Sequence, residues 1–481
     1  MLEPPARTAL VSRELPPAAD PLAAFESLRA LPYPWLLDSA LPSPRLGRFS
    51  LLGADPYLVV RARGGLVELE CRRAARPGLA PGRRVVRGDP FDVVSRLLPA
   101  APPRASSSPA PFVGGAVGYL GYELAACLEA VSFRGLDDLE LPDAYLLFVD
   151  RAAAFDHVTG RFTLSALGFA DSDRAARARA ERCADEFAEQ LREAVSGAGR
   201  EESRRRPATL TSFFDESAYA KAVDAAKQRI AAGDVYQACL THRLEREYGG
   251  DAWALYRRLR RLNPAPFACF FELPEVAILS SSPERFLRLD EDRNAESRPI
   301  KGTRPRGRDP AEDAAYRRAL ASSAKDRAEN LMIVDLVRND LGRVCETGSV
   351  DVPELMAIED YASVFQMVST VRGRLRPDRD ALDLVRAAFP PGSMTGAPKI
   401  AAMRILERLE PVRRGVYSGA IGYFDARGGA DLSVAIRIIL LRRGRAYLHA
   451  GGGIVADSDP VAEYRETLDK ARPLLAALGD A

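Results

Sequence analysis

The chain has 481 residues, 47% of them hydrophobic, which suits one large globular domain or two to three ordinary ones. No apolar run approaches the roughly 20 residues of a membrane helix, and Met1 to Arg13 lacks the apolar core of a signal peptide. A cytoplasmic protein is therefore expected, and a net charge of +2 without a basic, aromatic-interleaved stripe disfavours a nucleic-acid binder.

In chain order, Leu36 to Leu167 holds short apolar runs broken by Gly and Pro, which read as strands; examples are Tyr57 to Ala62, Arg84 to Arg87 and Ala144 to Asp150. Between them, the Pro/Ser/Ala stretch Ala101 to Pro111 reads as a flexible loop. Asp171 to Val195 has helical periodicity, and polar Ser196 to Pro207 reads as a linker or exposed loop. This divides the chain into 1–205 and 206–481.

In the second part, helices are expected at Glu216 to Ala232, Ala252 to Leu262, Ala381 to Ala388, Lys399 to Leu409 and Pro460 to Leu478. Asp309 to Leu341 reads as one or two more. Strands are expected at Val235 to Leu244, Ala268 to Leu273, Val276 to Ser280, Gly419 to Phe424, Asp431 to Leu441 and Ala446 to His449. Strands in adjacent pairs between helices favour an α+β protein with antiparallel sheets over a doubly wound parallel sheet.

The six cysteines form no C-x-x-C pair and suggest no zinc site, so buried reduced thiols are expected. His157, His242 and His449 are the only histidines, which disfavours a histidine-based metal cluster or a Ser-His-Asp triad. Of 68 cationic residues only six are lysines: Lys221, Lys227, Lys301, Lys325, Lys399 and Lys470. A chain that otherwise spends arginine on positive charge points to these as positions needing an amine, which can act as a nucleophile.

Lys301 lies in Pro299-Ile300-Lys301-Gly302-Thr303-Arg304-Pro305-Arg306-Gly307, read as a segment between a strand and a helix in which Gly302 lets a ligand approach the backbone. Glu284, after an apolar strand, is a general-acid candidate or a turn cap. Glu329 sits on an amphipathic helix, where an i,i+4 pair with Lys325 is the plainer reading. Gly451-Gly452-Gly453 follows a strand and permits close approach of an anion. Asp459 then reads as an N-cap with Pro460 at N1, and Glu463, Glu466 and Lys470 share one face of the helix that follows. Such a face suits an oxygen-ligated cation beside an anionic substrate, or simply acids favoured by the helix dipole. Pro390 to Lys399 is another small-residue loop before a helix, and Tyr417 and Arg437 lie in strand contexts.

Together these segments closely resemble the chorismate-utilising enzymes, from about Phe213 to Leu475. The motifs are Gly233-Asp234-Val235-Tyr236-Gln237, Ser282-Pro283-Glu284, Pro299 to Gly307, Glu329 to Gly342, Gly392 to Lys399, Ile436-Arg437 and Gly451 to Lys470. Arg48 to Gly53 and Gly114 to Tyr122 resemble, less strongly, the aminating members. The resemblance implies two orthogonally packed antiparallel sheets flanked by helices, an α/β/β/α arrangement to which both parts of the chain contribute. Water-adding members carry a lysine base where this chain has Gln237; aminating members have glutamine. Anthranilate synthases usually have alanine at the position of Lys301, and members that make aminodeoxychorismate covalently have lysine.

The implied roles follow. Glu284 is the general acid and Lys301 the covalent nucleophile. Glu329 and Glu466 hold Mg2+, with Glu463 as ligand or water-mediated partner. Tyr417, Arg437 and Gly451, Gly452 and Gly453 hold the enolpyruvyl carboxylate, and Gly302, Thr303, Ser393 and Lys470 complete the pocket. Implied substrates are chorismate and ammonia, the latter from a separate glutamine amidotransferase subunit, because this chain has no Gly-x-Cys-x-Gly site. Anthranilate synthase component I is the rival. Two departures stand out: Gln366 replaces a substrate-contacting histidine of many relatives, and Leu36-Leu37-Asp38-Ser39 resembles the Leu-Leu-Glu-Ser of tryptophan-regulated members, so a tryptophan site is an open expectation.

Overall fold

A computed structural model describes residues 7–15, 20–43, 45–99, 101–102, 108–192, 209–361 and 364–479. The expected linker Ser196 to Pro207 lies outside the described residues, as does part of Ala101 to Pro111. Two twelve-stranded antiparallel sheets carry the fold. The first runs from Arg7–Leu15 at one edge through Phe49–Gly53, Trp35–Asp38, Phe267–Glu272, Ala277–Ser282, Ile438–Arg442 and Arg445–Ile454 to Gln237–Glu247. The second runs from Ile300–Pro305 through Val364–Arg374, Asn294–Arg298, Arg285–Leu289, Ala430–Val434, Ala420–Asp425 and Gly115–Leu120 to Gly82–Arg87. Each sheet joins strands from both parts of the chain: Trp35–Asp38 pairs with Phe267–Glu272, and Gly115–Leu120 pairs with Ala420–Asp425.

Strand alternation decides which layer each side chain enters. In the first sheet Ile278 and Leu440 point into a core shared with Val59, Leu147, Tyr423 and Leu432 of the second. Their neighbours Leu279 and Ile439 point the other way, into a core with Phe187, Trp253, Tyr256 and Leu474 of the covering helices. Both faces are buried, which is why these strands read as nearly continuous apolar runs. The helices Ala252–Leu262, Ala381–Ala388, Lys399–Leu409 and Pro460–Leu478 match the sequence reading residue for residue. Asp309 to Leu341 resolves into two helices, Pro310–Ser322 and Ala324–Gly342, with Ser323 capping the second.

Three readings are corrected. The expected strand Asp431 to Leu441 is two strands, Ala430–Val434 in the second sheet and Ile438–Arg442 in the first. The chain crosses between sheets at Ala435 to Arg437, where Arg437 takes a left-handed φ of 51°. Ile300–Pro305, read as a segment between strand and helix, is an edge strand paired with Val364–Arg374. The glycine run 451–453 lies inside the strand Arg445–Ile454 rather than after one. Asp351–Asp360 and Val364–Arg374 were not anticipated: the first carries acids at both ends, and the second is buried along most of its length and so shows no alternation.

Candidate active site

A double crossing between the sheets builds the centre of the site. Ala277–Ser282 belongs to the first sheet and Arg285–Leu289 to the second, so Pro283 and Glu284 form one crossing; Ala435 to Arg437 forms the other. Hydrogen bonds stitch the two together: Ser282 Oγ donates to the Val434 carbonyl at 2.7 Å, Val434 N to the Glu284 carbonyl at 3.0 Å, and Ser281 N to the Arg437 carbonyl at 3.0 Å. Glu284 is thereby held at the seam with 5% of its surface exposed. Burial pushes its carboxyl up to about 7, and Ser393, the positive charge of Lys301 and the Ile300 amide only soften that shift. The Ser393 hydroxyl lies near enough to act on Glu284 but makes no hydrogen bond of ordinary geometry.

Lys301 projects from the edge strand Ile300–Pro305, half-buried, with no ion pair or hydrogen bond among the described residues. Its charge acts on Glu284, Glu329 and Glu466 together, so one amine serves the buried acid and the acid cluster alike. Gly302 has φ 87°, and a Cβ there would meet Leu320 at 2.8 Å and Asp326 at 3.0 Å. The left-handed backbone and the closeness of both helices leave no room for a side chain at this position. Thr303 is exposed and stands opposite Gln366 in the strand pair.

The acid cluster joins two helices. Glu329 comes from Ala324–Gly342, and Glu463 and Glu466 from Pro460–Leu478, whose start is capped by Asp459 with Pro460 in its first turn. Glu463 is buried and accepts from Ser458 Oγ at 2.7 Å. Burial raises the Glu329 carboxyl, opposed by Lys301 and Lys325. Burial is the largest influence on Glu466 and would raise it, but Lys470, Lys325 and Lys301 together outweigh it and the net shift is downward. Lys470 Nζ is fixed, 2.6 Å from Glu466 Oε1 and 2.9 Å from the Gly451 carbonyl. Lys325 is the residue the sequence reading undervalued: its Nζ lies 4.0 Å from Glu329 as expected, but also 3.5 Å from Glu463. Among the described residues no three or more His, Cys, Asp or Glu are drawn together tightly enough to hold an ion as they stand. The ammonium of Lys325 stands between two of the carboxylates.

The floor is the strand Arg445–Ile454. A Cβ on Gly452 would lie 2.9 Å from Glu463 Oε2, and one on Gly453 only 2.2 Å from Gln237 Nε2, so both glycines make room for site residues. A Cβ on Gly451 would instead strike the neighbouring strand at Leu240 O, 2.5 Å away, so its absent side chain faces the backbone. Arg437 donates to the Lys470 carbonyl. Tyr417 is buried, its hydroxyl pushed up by that burial, and stacks on His449 at 5.0 Å between ring centroids. Among the described residues, the buried side-chain polar atoms without a hydrogen-bond partner include both amide atoms of Gln237, Gln366 Oε1 and Ser393 Oγ, alongside others elsewhere in the fold such as Trp35 Nε1, Tyr57 OH and Tyr122 OH. Leaving such groups unpaired costs about 1–3 kcal/mol each, and the four on expected substrate residues are ones that a polar ligand would satisfy.

Two buried ion pairs escaped the sequence reading. Arg414 donates to the carbonyls of Met394 and Cys239, both at 2.7 Å, and to Glu410 Oε1 at 2.6 Å, tying the Ser393 loop to the Gln237 strand. Lys399 Nζ lies 2.8 Å from Asp340 Oδ2, tying the same loop to the helix of Glu329. Lysine scarcity flagged Lys399; nothing distinguished Arg414 among the arginines. A cavity of about 330 Å³ lies elsewhere, lined by Leu37, Asp38, Ser39, Arg48, Arg285 and Tyr423 among others, and by none of the substrate or acid-cluster residues above.

This combination of two antiparallel sheets, a buried acid at their crossing and an acid-and-glycine floor defines a ligand-binding enzyme class, and the family comparison identifies it. The model of the chorismate binding enzymes matches residues 46–476, and the chain belongs to that family. An aminodeoxychorismate synthase of Streptomyces griseus is 45% identical, over 99% of this chain and 65% of the relative, so the chain spans about two thirds of that protein's length. Aminodeoxychorismate synthase component 1 of Escherichia coli is 39% identical, over 94% of this chain and 95% of the relative. Among solved structures, anthranilate synthase component I from Streptococcus pneumoniae superposes with a TM-score of 0.75 at 31% identity, covering 90% of this chain and 93% of that one. No helix among the described residues is long and apolar enough to cross a membrane.

Proposed function

We propose that the chain aminates chorismate to 4-amino-4-deoxychorismate. The observation that carries this reading is the pairing of Lys301, an amine free of internal partners, with Glu284, an acid that burial keeps largely protonated up to about pH 7. Hydroxide is a poor leaving group, so Glu284 protonates the C4 hydroxyl, which departs as water while the Lys301 amine bonds to C2. Ammonia then bonds to C4 and the electron pair of the C2–N bond returns to Lys301. Gln237 and Gln366 offer amide groups to the substrate and incoming nitrogen. Tyr417, Arg437, Lys470 and the backbone of the glycine run hold the enolpyruvyl carboxylate, and Thr303 and Ser393 close the pocket. Glu329, Glu463 and Glu466 supply the hard oxygen donors that suit Mg2+, which when bound neutralises and orients the ring carboxylate.

A separate glutaminase subunit supplies the ammonia in this reading, in keeping with the "component 1" of the E. coli relative's name. The product then feeds 4-aminobenzoate and folate synthesis. We extend the reading to a tryptophan site in the cavity lined by Leu37, Asp38 and Ser39, to be checked by calorimetric titration with tryptophan.

The rival, anthranilate synthesis, is favoured by the S. pneumoniae likeness and opposed by Lys301. Chorismate, Mg2+ and ammonium at mildly alkaline pH, followed by chromatography with mass detection, decide between them. The proposal expects 4-aminobenzoate only when an aminodeoxychorismate lyase is added; anthranilate formed without the lyase overturns it.

A further inference from the structure

The i,i+4 pair with Glu329 accounts for only part of the setting of Lys325. It occupies the first turn of Ala324–Gly342, where a positive charge opposes the helix dipole. Its side chain is 52% exposed, so it fills no core. What it faces is the acid cluster: Glu463 Oε1 at 3.5 Å and Glu329 Oε1 at 4.0 Å, with Glu466 near enough for its charge to be felt. The other ammonium of the cluster behaves differently. Lys470 is anchored by two contacts under 3 Å, one to a carboxylate and one to a backbone carbonyl, and is a fixture of the floor. The contacts of Lys325 are longer than hydrogen bonds, and its flexible stem leads to solvent.

We propose that Lys325 is a tethered counter-cation that occupies the metal position and must be displaced for a divalent ion to bind. This rests on the reading of Glu329, Glu463 and Glu466 as the metal-binding acids. Three carboxylates converging on a half-buried site repel one another, and Lys325 relieves that repulsion until a stronger cation arrives. A carboxylate cannot give its lone pairs fully to the ion while the ammonium stands between Glu329 and Glu463, so the two cations compete. Lysine suits the task where arginine does not: an ammonium is a compact point charge that lets go, whereas a guanidinium grips carboxylates through two parallel bonds. This is the choice of amine expected in a chain with six lysines against 62 arginines. The competition sets a threshold on metal concentration and keeps the acids apart and charge-balanced below it.

The test is direct metal binding to the full chain without chorismate, using Mn2+ followed by electron paramagnetic resonance and Mg2+ as competitor. Removing a competitor whose contacts are those of a weak ion pair tightens binding, and Lys325→Met should bind Mn2+ about three- to tenfold more tightly than wild type. Lys325→Arg should bind more weakly than wild type, and this variant keeps the test alive where the Met variant folds poorly. Glu466→Gln reports on the metal site itself and should bind more weakly. Equal or weaker binding by Lys325→Met, with Glu466→Gln still impaired, overturns the proposal and leaves the metal site standing. Binding that is undetectable in wild type, or indifferent to Glu466→Gln, removes the metal site and the proposal with it.

Discussion

Glu284→Gln separates the catalytic burden of the buried acid from its structural cost. Burial moves this carboxyl from 4.5 to about 7. In the unfolded chain it ionises near its ordinary value, so above that pH the folded state must either hold a proton or bury a charge. The sign is that of a raised carboxyl: no penalty below about pH 4.5, growing destabilisation as pH climbs through the gap, and a constant penalty above about 7. At 1.36 kcal/mol per pH unit the full gap amounts to about 3 kcal/mol. A glutamine of the same shape carries no such penalty. At roughly 2.1 cal/mol/K per residue the unfolding entropy of 481 residues is about 1 kcal/mol/K, so the variant should gain about 3 °C in Tm at pH 8 over its offset at pH 5. Calorimetric scans of both proteins at the two pH values measure this, and the same variant should lose activity by about 10²-fold or more. A Tm offset identical at pH 5 and pH 8 would show that Glu284 titrates normally and would refute its assignment as a buried acid.

Lys301→Ala should lower aminodeoxychorismate formation at least about a hundredfold, close to 3 kcal/mol of barrier, and intact-mass measurement of wild type with chorismate but no ammonia should reveal an adduct that the variant lacks. Gly452→Ala should weaken Mg2+ binding with little change in Tm, because the new methyl falls 2.9 Å from Glu463 Oε2 and displaces that carboxylate; isothermal titration with Mg2+ checks it. Lys399→Met breaks a pair whose side chains are 12% and 6% exposed and should cost about 3 kcal/mol in urea unfolding. The double variant with Asp340→Asn should recover part of that loss, since burial already lifts Asp340 to about 6 and an amide needs no counter-charge.

The helices were legible because amphipathic spacing and caps are local: Asp459 and Pro460 announce the last helix in two letters, and the helix begins there. Strand pairing is not local. That Gly115–Leu120 lies beside Ala420–Asp425 depends on a register set by packing 300 residues apart, and no spacing along the chain encodes it. The sheet crossings were invisible for a related reason. Asp431 to Leu441 is mostly apolar, and the residues on either side of Arg437 are buried in one sheet and then in the other, so a single arginine did not by itself announce that the chain changes sheets there. Arg437 holds a left-handed turn there although it is neither glycine nor asparagine, which costs of order 1–3 kcal/mol of backbone strain.

Glu284 and Arg437 are polar residues at two crossings that the apolar pattern alone would have left as unbroken strand. Lys301, Glu329 and Glu466 then had to come from the surrounding edge strand and helices, and their residue types were legible singly as lysine scarcity and helix-face acids. Their convergence was not, since it requires two helices far apart in the chain to bring their acids toward one another. Lys325 is the clearest case: an i,i+4 partner of Glu329 accounts for it along the helix, and only the approach of Glu463 from another helix turns an ordinary surface pair into the cation of the acid cluster.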